Sequence, residues 1–354
     1  MSRFLTILFC CTLLAVPAAP AATIRDAGGS TKAGTAAKPS WAQKEIRYVV
    51  GHGLMAKTAT AFRPDDTLTQ GELAALAAGL TKHSTGTVAN KTAPVTVAQL
   101  DARLVTALGL ARTASTFAAG ARAAGLAIPG RFGTETVARL LGLRTNHPAA
   151  HDDLELLPSD PVSRAETAYS VARVLRFGGW EVEYAGAAAE TFAPPQLTVW
   201  QKRVLTTAVR FIGFPYVWGG TSEKPQAPFG VDAPGGFDCS GFVWRVYKLQ
   251  AYPAGAALAG TIKGRTTYQM SGEVPAAKRI GFAKLAPGDV LFFGPAGHRS
   301  KPGSIGHTGI YLGAGWMIHS SGQGVAVTPL TGWYRQQFAW ARRPLAEAGL
   351  QGTK

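Results

Sequence analysis

The spacing of apolar residues changes character part-way along the chain. Between residues 41 and 178 it follows the helical period. Trp41, Ile46, Val49 and Val50 form one stripe, which Gly51 and Gly53 end. In "FRPDDTLTQGELAALAAGL", Phe62 and Pro64 read as loop, Thr69 as an N-cap with Glu72 completing a capping box, and Leu73, Leu76 and Leu80 as the apolar face. The pattern returns in "LPSDPVSRAETAYSVARVL", where Asp160, Ser163 and Glu166 mirror Asp66, Thr69 and Glu72. A more degenerate unit, "VTVAQLDARLVTALGL" with "AGLAIPGRFGTETVARLLGL", lies between them. Three such units predict an all-α repeat region, because repeats bury a core only by stacking on neighbours. From Leu197 the pattern differs. "TVWQKRVLTTAVRFIG" predicts a helix ending at Gly213, and "FDCSGFVWRVYKLQ" a second one. The runs "LAPGDVLFF", "GHTGIYLG", "WMIHSS" and "GVAVTPL", separated by glycines, predict antiparallel strands. Helices followed by a meander of strands indicate an α+β domain, with helices packed on an antiparallel sheet.

The segments between these regions set the expected boundaries. Arg3, the apolar run Phe4 to Val16 and "PAAPAA" have the layout of a secretory signal over residues 1–22. The run is about 13 residues, against the roughly 20 that a bilayer crossing needs. Residues 23–40, small and polar, read as a linker, and the Ala-rich, Pro-Pro stretch 181–196 as another. The expected domains are therefore 41–180 and 197–345, with a tail at 346–354. The 354 residues are 46% hydrophobic and 16% charged, the composition of a globular protein. The net charge of +15 favours anionic partners, and for an exported protein these are acidic wall polymers or membrane head groups. Nucleic acid is disfavoured: there is no zinc-finger spacing, no aromatic RNA-binding signature and no dense basic tract.

Cys10 and Cys11 fall inside the apolar run, so Cys239 is the only cysteine of the expected mature chain and has no disulfide partner. It stands at the predicted start of a helix, after Asp238 as a plausible cap and before the small residues Ser240 and Gly241. The positive end of a helix favours a thiolate, which predicts a lowered thiol pKa and a nucleophile. A buried, inert thiol is the alternative. His307 and His319 flank Gly313 to Gly315. If those glycines form the turn of a hairpin, the two histidines lie diagonally on one face, within side-chain reach. One histidine would then serve as a base and the other orient it. His298 lies near His307, but no third ligand sits at metal spacing, so a zinc site is not expected.

Two resemblances bear on these patterns. "W…I…V…G…F.P…LTQGELAAL" resembles the S-layer-homology (SLH) repeat, a family that holds exported proteins to acidic wall polymers. That family's usual basic residue is replaced by Gln70 in the first unit and kept as Arg164 in the third, so a helical packing region without a ligand is the competing reading. "PYVWGG…FDCSGFVWRVY…LAPGDVLFF…GHTGIYLGAGWMIHSS" is similar to the NlpC-type family of papain-like cell-wall cysteine peptidases, over residues 198–343. This resemblance implies a papain-like fold without a cofactor. It implies Cys239 as nucleophile, His307 as general base and His319 as the group orienting it. It further implies Tyr216 as an oxyanion donor beside the Cys239 N–H, and Asp238 and Ser240 as residues of the substrate pocket.

The function it implies is that of a secreted, wall-associated peptidoglycan endopeptidase cutting a stem-peptide amide, most often between γ-D-glutamate and a diamino acid. An amidase with the same triad and a non-catalytic wall-binding protein are the alternatives. Two stretches, 221–235 and 294–306, are loops expected at the cleft rim or on an indifferent surface.

Overall fold

Three short extended segments organise the N-terminal half of the computed structural model, which describes residues 39–83, 86–143 and 156–351. The expected signal, most of the 23–40 linker and the last three residues lie outside the described residues. The Leu68 N–H donates to the Val162 carbonyl (2.9 Å), the Val162 N–H to that of Val95 (2.8 Å), and the Val95 N–H to that of Leu68 (2.9 Å). The result is a closed ring of three backbone bonds around three buried apolar side chains. Each segment runs directly into an N-cap: Thr69, Thr96 and Ser163 accept from the backbone N–H of Glu72, Gln99 and Glu166. These caps start α2 (Gln70–Thr81), α3 (Val97–Ala107) and α6 (Arg164–Val174). The degenerate middle unit thus uses the same device as its neighbours, with glutamine in place of glutamate.

Helix α1 (Gln43–Gly51) packs on α6, and α4 (Ala111–Ala123) packs on α5 (Phe132–Leu140). Arg164, the basic residue retained from the repeat motif, is buried. Its guanidinium donates to the carbonyls of Phe62 and Met55 (both 2.7 Å) and to Glu72, and lies over the Phe62 ring. It is therefore committed to joining the first and third units.

The stretch 181–196 is not the linker its composition predicts. It forms α7 (Trp180–Thr191), whose Ala185, Ala188 and Ala189 are buried and which packs on α4. Alanines that read as low complexity are here the small residues that let two helices approach closely.

The C-terminal half opens with α8 (Val199–Arg210), followed by a short antiparallel pair, β1 (Thr221–Ser222) and β2 (Gly236–Phe237). Next come α9 (Cys239–Trp244), which continues into one wider turn to Leu249, α10 (Leu258–Thr261) and α11 (Thr267–Gly272). The main sheet contains β3 (Val290–Phe293), β4 (His307–Gly313), β5 (Trp316–Ser321), β6 (Gly324–Pro329) and β7 (Phe338–Arg342), in the antiparallel order β6-β5-β4-β3-β7. A short helix, α12 (Gly332–Gln337), links β6 to β7, and α13 (Pro344–Glu347) reaches into the expected tail.

The two halves share one continuous core. The Trp316 ring of β5 is sandwiched edge-on by Phe117 of α4 (5.5 Å) and Phe192 (5.3 Å), and its indole N–H donates to the Thr191 carbonyl (3.3 Å). Arg131 donates to the carbonyls of Arg210 and Ile212 at the end of α8, where the helix leaves carbonyls without internal partners. Arg139 donates to the carbonyls of Gly213 (3.0 Å) and Gln323 (3.1 Å) while paired with Glu135 (3.0 Å). Phe117→Ala is expected to cost about 3–5 kcal/mol in chemical denaturation. It should also speed amide exchange in β5 of the C-terminal half, which a purely local defect in α4 would leave unchanged.

Candidate functional site

The sequence Asp-Cys-Ser-Gly builds a helix start around the thiol. Asp238 caps α9 by accepting the Gly241 N–H (2.5 Å), which leaves Cys239 as the first helical residue. A Cβ at position 241 would overlap the Gly220 carbonyl, so glycine is needed for α9 to approach that backbone. Asp238 is more than a cap. Arg265, from the loop before α11, grips both carboxylate oxygens (3.1 and 3.0 Å), the Ser240 hydroxyl (2.7 Å) and the Gly219 carbonyl (3.0 Å). Asp238 and Ser240 line the cleft beside Cys239, and their polar atoms are engaged by this arginine.

The β4–β5 hairpin sets the histidines. Ile310 pairs with Ile318, which puts Gly309 opposite His319 and His307 one diagonal step away on the same face. His307 Nε2 and His319 Nδ1 are 2.8 Å apart, and His319 Nε2 lies 3.0 Å from the Thr328 hydroxyl on β6. The side-chain line is therefore His307–His319–Thr328, and Nδ1 is the His307 nitrogen left for another partner. A side chain at 309 would press on the His319 Cβ and the Ile318 carbonyl, so a glycine opposite the histidine lets the two strands keep this spacing. Helix α9 packs on β4, which brings the Thr308 backbone, next to His307, to the Cys239 side of the cleft. Cysteine and histidine pair thus meet at one end of the sheet. Tyr216 arrives by main-chain pairing: Val217 and Pro215 bond to Phe237, which sets Tyr216 beside the strand running into Cys239.

The electrostatics depart from the expected thiolate. Burial pushes the Cys239 thiol up to about 12, and the neighbouring Asp238 carboxylate adds to this. The Thr308 and Ser240 N–H groups and Arg265 oppose it without prevailing. The residue that caps the helix thus places a negative charge beside the sulfur, which the helix-start argument omits. Burial also lowers His307 to about 4, and holds His319 well below the usual histidine range, with His307 contributing. The resting pair is a neutral thiol and a neutral imidazole.

A cleft of about 380 Å³ opens at Cys239, lined among others by Trp218, Phe229, Arg265, Tyr268 and Gly306. The 221–235 loop is an arm held by Gln226, whose side chain accepts the Thr221 N–H and donates to the Gly236 carbonyl (both 2.9 Å). Its tip, Phe229, is 81% exposed and closes one wall of the cleft. The 294–306 loop reaches the cleft through Gly306, behind an Ile305 carbonyl that accepts from Thr267 (2.5 Å). Among the described residues no group of three His, Cys, Asp or Glu side chains gathers to hold a metal. Sequence reasoning missed Arg265 and Thr328. Only a capping box after Arg265, Thr266 with Gln269, marked that neighbourhood.

Comparison with known proteins matches residues 213–343 to the NlpC/P60 family and residues 35–74 to the S-layer homology domain. Among curated relatives, two carry the name gamma-D-glutamyl-L-lysine dipeptidyl-peptidase. The one from Bacillus subtilis is 29% identical over 41% of this chain and 41% of its own length. The one from Bacillus cereus is 34% identical over 40% and 36%. The probable peptidoglycan endopeptidase LytE of Bacillus subtilis is 32% identical over 40% and 34%. The chain thus spans about two fifths or less of the length of these relatives. A solved NlpC/P60 family protein from Bacillus cereus aligns with 31% identity and a TM-score of 0.32, over 42% of this chain and 41% of that one.

Two pH dependences follow from the site. Alkylation of Cys239 in the free protein should climb about tenfold per pH unit through neutral pH, without a plateau below pH 9; a plateau near pH 7 would mean a stabilised thiolate. The unfolded chain protonates its histidines near 6.5, whereas His307 in the folded protein resists until about 4. The unfolded state therefore binds more protons in that window, and stability should fall as pH drops through it in denaturation experiments.

Proposed function

From a chain whose residues 213–343 form an NlpC/P60 domain and whose residues 35–74 match an S-layer homology domain, we propose an exported cell-wall endopeptidase. It hydrolyses a stem-peptide amide of peptidoglycan, between γ-D-glutamate and the diamino acid that follows. The observation that carries this reading is the line Thr328–His319–His307, leading through the Thr308–Cys239 contact into an open cleft. Export rests on the apolar N-terminal run, and wall association on the basic charge. Arg164, being buried, contributes nothing to the second.

With His307 Nε2 held by His319, Nδ1 accepts the Cys239 proton as the sulfur attacks the amide carbonyl. Both groups are neutral in the free protein, so charge separation accompanies attack instead of preceding it. The new S–C bond forms a tetrahedral species, whose oxyanion takes the Cys239 backbone N–H and the Tyr216 hydroxyl as donors. Imidazolium His307 passes its proton to the departing amine as the C–N bond breaks, leaving an acyl thioester. Water then attacks, giving a proton to His307. The C–S bond breaks as His307 returns that proton to the sulfur, which restores the thiol and the neutral imidazole.

Mass spectrometry of purified peptidoglycan after incubation with the protein tests this. New termini between D-glutamate and the diamino acid, absent with Cys239→Ala, are expected; release of whole stem peptides would identify an amidase instead. Tyr216→Phe should lower kcat by about 100-fold if its hydroxyl serves the oxyanion. Phe229→Ala, on the rim of the cleft, should raise KM and leave kcat nearly unchanged.

A further inference from the structure

Helix α12 has no buried residue and no side-chain cap, and it joins the smaller core on the histidine side through Tyr334 and through Arg335, which lies over Phe282. Its contact with the histidines is Tyr334. The Tyr334 ring lies 5.1 Å from His319, nearly perpendicular to it, 6.0 Å from His307, and 5.6 Å from Phe293. Burial pushes its hydroxyl up to about 12, an effect that Ser321, on the strand that carries His319, partly offsets. Trp333 stands edge-on behind it at 5.1 Å and is 55% exposed. One aromatic ring therefore lies against both imidazoles.

We infer that Tyr334 is a positioning residue for the proposed hydrolysis: its ring closes the solvent side of the His307–His319 pair and holds both imidazoles in line for Cys239. The inference rests on the peptidase reading given above. The other sides of the pair are already covered. Phe293 of β3 stacks 5.7 Å from His307, Thr328 of β6 meets His319, and the Cys239 end of α9 lies at the Thr308 side. The charged groups at that end, Asp238 and Arg265, are paired with each other. What keeps the two histidines neutral is exclusion of water, and the α12 side is the one where a single, partly exposed side chain does it. An aromatic ring suits the position because it packs against both imidazoles and Phe293 at once. Without the ring, water reaches His319, the histidine line loosens, and both imidazoles protonate more readily.

The test compares wild type, Tyr334→Phe and Tyr334→Ala as full chains, in Cys239-dependent cleavage of a defined stem peptide across pH and in histidine titration by NMR without substrate. Tyr334→Phe keeps the ring and should stay within about threefold of wild-type kcat. Tyr334→Ala should lose about 10- to 100-fold in kcat with little change in KM, since misplacement of catalytic groups by about 1 Å costs that much. The acid limb of its profile and the midpoints of two histidines should move up towards the ordinary range. A folded Tyr334→Ala with wild-type kcat, acid limb and histidine midpoints overturns the inference, as does an equal loss in Tyr334→Phe. If wild type cleaves no stem peptide, the peptidase reading fails. The NMR midpoints then still decide whether Tyr334 shields the histidines.

Discussion

The register of one hairpin fixes the chemistry at this site. Side chains alternate along β4 and β5, so a slip of a single residue would turn His307 or His319 to the face that packs on the main core. Both faces of this hairpin resist such a slip. Ile310, Leu312, Trp316 and Ile318 belong to the main core, whereas Leu291, Phe293 and Met317 build a smaller one on the histidine side. Gly309 leaves room for the His319 Cβ and the Ile318 carbonyl opposite it. The distance between the imidazoles is therefore set by burial on both sides of the sheet, and not by the two polar groups alone.

The same sheet depends on the helical half. Trp316 would be a large exposed indole on an isolated domain; Phe117 and Phe192 cover it. Arg131 and Arg139 satisfy carbonyls at the end of α8 and at the β5–β6 turn, on either side of the segment that leads to Tyr216. A helical region joined in this way is part of the frame of the C-terminal half, which is a different arrangement from a domain on a flexible tether.

What the sequence reveals follows from how local each interaction is. Thr69 with Glu72, Asp238 before Cys239, and the glycines between the two histidines act over a few residues, and each is legible from spacing. The Arg265–Asp238 pair, the Trp316 sandwich and the burial of Arg164 join residues far apart in the chain, with no periodic mark. Two errors came from reading a local signal without its surroundings. The alanines of 181–196 look like a linker until α4 lies against them. A cysteine at a helix start looks like a thiolate until the charge of its own cap and its burial are counted.

The ring formed by Leu68, Val95 and Val162 carries a consequence for how the helical half comes into being. In an open solenoid each repeat rests on the one before, and order can spread step by step. A closed ring has no free end. The first unit gives a hydrogen bond to the third and takes one from the second, so no two units can complete it, and the third contributes only once the chain has reached residue 162. Order in this half should therefore arrive in a single cooperative step that waits for its last unit. Dropping any one repeat would leave both survivors with unmatched backbone groups, which ties the count of three to the architecture itself.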